Sequence, residues 1–140
     1  MEETPDDLTL SAEKAFFILV KARAFDAKVE QTDPDSGSNP SDDKDVHVLE
    51  DTVDDPTQQE LIDAMEALNV DERFDLLAVM WIGRGDFTAE AWPEVRTKAA
   101  DLRPEQVPQY LSQTPLLSDY LEEGLNQIGV SLDDFESGRL

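Results

Sequence analysis

Arg84 stands between two glycines in the stretch Trp81-Ile82-Gly83-Arg84-Gly85-Asp86-Phe87, and that setting gives its guanidinium something to do. With no side chain on either neighbour, the planar fork has open approach to a carboxylate or a phosphate. The tripeptide Arg84-Gly85-Asp86 is also what extracellular adhesion receptors read, but the compartment argued below excludes that use. The same residues have a structural use. Gly83 can supply the left-handed residue after a helix, Gly85 a second unusual dihedral, and Asp86 a cap or a partner for Arg84. The structural use is favoured, and Arg84 is retained as the residue able to hold an anion or a partner's carboxylate. Its candidate neighbours in such a site are Trp81, Asp86, Trp92, Asp119 and Tyr120.

Asp119, Glu122 and Glu123 place three carboxylates at i, i+3 and i+4 of one helix, a spacing that could serve a metal or acid–base work. Helical di-metal carboxylate sites need a Glu-x-x-His on two helices, and this chain has one histidine, His47. A solvated acidic face, or one carboxylate receiving Arg84, is the favoured reading. His47, in Asp43-Lys44-Asp45-Val46-His47-Val48-Leu49, has no nucleophile at a recognisable spacing, and the surrounding acids favour its charged form. Asp33-Pro34-Asp35-Ser36-Gly37 hints at a calcium loop. Its glycine comes one position early, Pro34 intrudes, and Lys44 stands where the bidentate acid belongs. No phosphate loop and no nucleophile elbow occurs. The sequence therefore nominates no catalytic residue, no metal ligand and no cofactor.

The elements that would position these residues follow from periodicity. Ser11 is a helix cap, and residues 12 to about 28 carry two apolar rows, Phe16, Leu19, Val20 and Ile18, Ala22, Phe25. The wide apolar arc predicts that this is the most buried helix. Lys14, Lys21 and Lys28, seven residues apart, form one basic stripe on its remaining face. Residues 30–55 lose all periodicity and hold ten acids against one lysine, which predicts a flexible acidic loop drawn to that stripe. Asp55-Pro56 reads as a helix start, followed by Leu61, Ile62, Met65 and Leu68 at helical spacing. Asp71 is the expected cap of the next helix, with Phe74, Leu77, Ala78 and Trp81 on one face, making a helical hairpin. Thr88 is the expected cap of a helix through Trp92, Val95, Ala99 and Leu102, whose start Pro93 puts in question. A short helical piece lies around Gln109. Thr114-Pro115 then starts a last helix with Leu117, Leu121, Leu125 and Ile128, stopped by Gly129.

These elements give an all-α, single-domain bundle of about five helices with a long acidic loop between the first and second. The expected organisation is an acidic tail over 1–10, a helical domain over 11–135 including the loop 30–55, and a tail over 136–140. Net charge is −22, and aspartate outnumbers glutamate 19 to 14. Such a field repels nucleic acid and anionic membranes, so neither is an expected direct partner. No cysteine occurs, and the longest apolar run, residues 15–20, is far short of a membrane span. The first residues are acidic where a leader would need positive charge, and the chain reads as cytoplasmic.

The stretches Leu10-Ser11-Ala12-Glu13-Lys14-Ala15-Phe16-Phe17-Ile18-Leu19-Val20-Lys21-Ala22-Arg23 and Leu68-Asn69-Val70-Asp71-Glu72-Arg73-Phe74, running on to Phe87, resemble a family of short acidic bacterial proteins, mainly proteobacterial, known only as a domain of unknown function. The resemblance implies a helical fold and a bacterial origin, and it implies no activity, substrate or catalytic residue. Pro93 departs from the pattern, where a polar helix former is expected. The reading of function is a non-enzymatic protein-interaction or regulatory module with an unidentified protein partner; homodimerisation is open. Its alternatives are a helical bundle using Arg84 to hold an anionic small molecule, and an acidic mimic of nucleic-acid charge.

Overall fold

Residues 74–83 are apolar on every side of a helix except at Asp75, and a helix of that kind has to sit at the centre of a structure. The computed structural model, which describes Pro5, residues 8–32 and residues 56–130, places it there. Residues 33–55, with His47 and Asp55 among them, and residues 1–4, 6–7 and 131–140 lie outside the described residues. Within them the fold is all-α, a single domain of six α-helices: α1 (Ala12–Thr32), α2 (Pro56–Glu66), α3 (Val70–Arg84), α4 (Trp92–Ala99), α5 (Val107–Ser112) and α6 (Leu117–Gln127). Short 3-10 turns, Ala89–Ala91 and Pro104–Gln106, precede α4 and α5. The sixth helix is the short proline-flanked piece, now α5. Among the described residues no helix is long and apolar enough to cross a membrane.

α3 is the most buried helix, with Phe74 to Met80 and Ile82 all inside, so the expectation for α1 is corrected. α1 buries Ala15, Ile18, Leu19, Ala22 and Phe25, but its apolar arc is wider than its neighbours can cover, and Val20 is left outside. Each large side chain buried in this core contributes roughly 1.5–3 kcal/mol of transfer free energy.

Helices α3 and α6 approach backbone to backbone. A Cβ on Gly83 would lie 1.8 Å from the carbonyl oxygen of Tyr120, and one on Gly124 would lie 2.1 Å from that of Val79. Two backbones can come this near only where both helices omit a side chain. Gly83 is therefore a helical packing residue and not the left-handed residue expected from sequence. That duty falls to Gly85 alone, at φ 99°, whose N–H donates to the Ile82 carbonyl while the Asp86 N–H donates to that of Trp81.

Helix starts differ from expectation in an instructive way. Ser11 caps α1 as read, its Oγ accepting from the Lys14 N–H at 3.1 Å. α3 is capped by Asn69 and not Asp71: Asn69 Oδ1 accepts from the Glu72 N–H at 2.8 Å and Glu72 Oε1 accepts from the Asn69 N–H at 3.0 Å. Thr88 makes no side-chain cap bond, and α4 begins at Trp92 with Pro93 in its first turn, where a missing N–H costs nothing. Thr114 donates its hydroxyl to the Tyr110 carbonyl instead of capping α6. The cap of α6 comes from α1, as Asp26 Oδ2 accepts both the N–H and the hydroxyl of Ser118, at 2.9 and 2.7 Å.

Candidate functional site

The end of α3 gathers part of the nominated site. Trp81 is half-buried; its Nε1 donates to the Tyr110 hydroxyl at 3.3 Å, and its ring lies 6.0 Å from that of Phe87 at 47°. Arg84 is exposed, yet its fork is already filled. Both Nε and Nη2 donate to Asp86 Oδ2, at 2.9 and 2.7 Å. Hydrogen bonding to Asp86 raises the guanidinium's pKa, partial desolvation opposes the rise, and Tyr110 adds to it. The turn that Gly85 permits thus folds Arg84 back onto a carboxylate two residues on, which leaves its charge neutralised within the loop.

The remaining candidates are not brought to this place. Trp92 is 4% exposed and belongs to the core, so its indole forms no surface edge. Tyr120 is half-buried on α6, where its carbonyl faces Gly83. Asp119 is exposed, and the carboxylate that Arg84 takes is Asp86. The acidic trio on α6 is divided among different partners: Glu122 pairs with Arg23 of α1 at 2.9 Å, and Glu123 accepts from Gln127 at 2.9 Å. Among the described residues no group of three His, Cys, Asp or Glu is arranged to hold a metal ion.

Two lysines of the α1 stripe pair inside the fold. Lys14 pairs with Glu72 at 2.8 Å, and Lys21 pairs with Glu60 at 3.2 Å while lying over the Phe17 ring. The partners among the described residues are acids of α3 and α2; the loop expected to be drawn to this stripe lies outside the described residues. Lys28 is exposed on the last turns of α1.

Two charged clusters that sequence reasoning missed are structural. Asp75 is fully buried, accepting from the Thr9 and Leu10 N–H groups at 2.7 and 3.1 Å, from the Thr9 hydroxyl at 2.7 Å and from Arg96 Nε at 2.7 Å. It fastens the segment before α1 and the helix α4 to α3. Arg73 donates to the carbonyls of Glu66, Leu68 and Pro104, closing the end of α2 against the turn before α5. Among the described residues every buried side-chain polar atom has a hydrogen-bond partner.

The feature with no such internal use is apolar. A groove of about 520 Å³ runs between α1 and the end of α2, walled by Phe16, Phe17 and Val20 on one side and Ala64, Ala67 and Leu68 on the other. Phe17 is 53% exposed and Val20 42%, and along the same outer face of α1 Ala24 and Ala27 are exposed as well. The signal in the sequence was the width of the α1 arc, which exceeds the face one buried helix presents to its neighbours.

Residues 58–130, just over half of the chain, match the family model described as "Protein of unknown function (DUF3775)". The chain belongs to the DUF3775 family. Its DUF3775 segment begins in α2 and ends just past α6, so it holds the α3–α6 crossing, Asp75 and the Trp81–Phe87 turn. α1 lies outside that segment, although it supplies the cap of α6 and one wall of the groove. Comparison with curated proteins and with solved structures finds no match.

Proposed function

We propose that this DUF3775 protein is a non-enzymatic protein-interaction module and that its docking surface is the outer face of α1 with the adjoining groove. The observation that carries the reading is the exposure of Phe17 and Val20 over an apolar groove, in a fold whose buried charges are otherwise committed to one another. A contiguous apolar face rimmed by polar residues is what partner surfaces look like. The Trp81–Phe87 turn supports binding less well, because Asp86 occupies the guanidinium of Arg84. A cysteine-free, strongly acidic chain suits a bacterial cytoplasm, and the proposal places the partner there.

Affinity capture at physiological salt tests this with three baits: wild type, Val20→Glu and Arg84→Ala. A stoichiometric partner held by wild type and by Arg84→Ala but released by Val20→Glu is the expected result. Loss with Arg84→Ala alone would move the site to the turn, and turnover of a small molecule by the isolated protein would sink the non-enzymatic reading.

A further inference from the structure

We propose that the occupant of the α1 face is an amphipathic helix of another protein, with an apolar stripe and basic flanks; the inference rests on the interaction reading above. The geometry points to a helix because the exposed positions Phe17, Val20, Ala24 and Ala27 follow one another at intervals of three, four and three residues. That spacing keeps all four on one stripe, about 15 Å long at 1.5 Å per residue, and is the pattern by which helix packs on helix. The stripe is graded. Phe17 and Val20 border the groove, which offers a hole for an anchor side chain, while Ala24 and Ala27 let the partner's backbone come close.

The flanks are set by charge. Three bases near this face are already paired: Lys14 with Glu72, Lys21 with Glu60 and Arg23 with Glu122. Two acids have no cation partner among the described residues: Glu13, which lines the groove, and Asp63 on the exposed side of α2, whose Oδ1 accepts only from the neutral Gln59 amide at 2.8 Å. With a net charge of −22 over the whole chain, a basic helix gains both contact pairing and long-range attraction, whereas a second copy brings −22 against −22.

The probe is a synthetic helical peptide about 18 residues long, with a leucine stripe at three–four spacing and lysine flanks, set beside a scrambled peptide of the same composition. Each is titrated by fluorescence anisotropy with the full chain at physiological salt. Val20→Glu alters the α1 wall and Ala67→Glu the α2 wall, both at exposed positions, and circular dichroism checks that each variant folds. The ordered peptide is expected to bind wild type at least ten-fold more tightly than either variant and more tightly than the scrambled peptide binds wild type. Both substitutions add negative charge, so attraction by charge alone predicts equal or stronger binding to the variants, and that result would overturn the proposal. Two other results overturn it by naming a different occupant: a wild-type dimer in sedimentation that Val20→Glu dissolves, or peptide binding that appears only after residues 43–53 are removed. If the peptide fails while a captured partner without a basic amphipathic helix is released by Val20→Glu, the occupant is wrong and the interaction reading stands. If neither peptide nor partner responds to Val20→Glu, both fall.

Discussion

Gly83 and Gly85 lie two residues apart and are glycine for different reasons. Gly85 needs its conformation: φ is 99°, nothing lies within 4 Å of an added Cβ, and alanine there should cost about 1–2 kcal/mol of left-handed strain. Gly83 needs its size. An alanine Cβ 1.8 Å from the Tyr120 oxygen forces α3 and α6 apart, with an expected loss above about 3 kcal/mol. Urea denaturation of the two variants decides this, and equal losses would mean that the helix crossing is not what Gly83 serves. Asp75 makes the second prediction at this scale. Asparagine keeps its shape but removes the buried carboxylate from Arg96, which lies 5.4 Å over the Phe74 ring and keeps only the longer, exposed pairing with Asp71 at 3.3 Å. Breaking a buried pair from one side costs on the order of 3 kcal/mol. Amide exchange should rise at Thr9 and Leu10 in Asp75→Asn; unchanged protection there would show that the segment before α1 is held by its packing instead.

At the scale of elements, the joint between α1 and α3 is sensitive to pH. Burial of the Glu72 carboxylate pushes its pKa up, but the hydrogen bonds from the Lys14 ammonium and the Asn69 amide outweigh this and hold it below the ordinary glutamate value near 4.5. A carboxylate whose pKa is lower in the folded than in the unfolded chain adds stability above its unfolded pKa and loses it as pH falls through the folded one. Lys14→Met should therefore lower the urea midpoint at neutral pH, and the gap to wild type should narrow below about pH 4.5. The effect is small, below about 1 kcal/mol, because Lys14 is half exposed. A gap that stays constant down to acid pH would assign the role of Lys14 to its aliphatic stem. The joint between α1 and α6 shows what local sequence leaves unseen. Thr114-Pro115 has the form of a helix start, yet the acceptor that satisfies the first turn of α6 is Asp26, 92 residues from Ser118.

For the whole molecule, a charge of −22 on a domain this small means that self-repulsion opposes the compact state. Raising KCl from 0.01 to 1 M shortens the screening length from about 30 to about 3 Å. The melting temperature should rise by at least about 4 °C, which corresponds to about 1 kcal/mol for a domain of this size. A fall would show that pairs such as Lys14–Glu72 and Arg96–Asp75 contribute more than the repulsion removes.

The sequence alone determined the fold class, the apolar rows of the helices and a few of the local stops and starts. The i, i+3, i+4 recurrence of Leu117, Leu121, Leu125 and Ile128 is buried as read, Ser11 caps α1, and a left-handed glycine ends α3. These are properties of windows of a few residues, and the helix supplies the geometry within each window. Tertiary structure decided what depends on distances between elements. It made Gly83 a point of contact with α6, sent Trp92 inward, folded Arg84 onto Asp86, and paired Lys14 with Glu72 and Lys21 with Glu60. Among the described residues it also left one edge of a wide apolar arc exposed. Periodicity shows how broad such an arc is, but how many helices arrive to cover it is settled only when the bundle has closed.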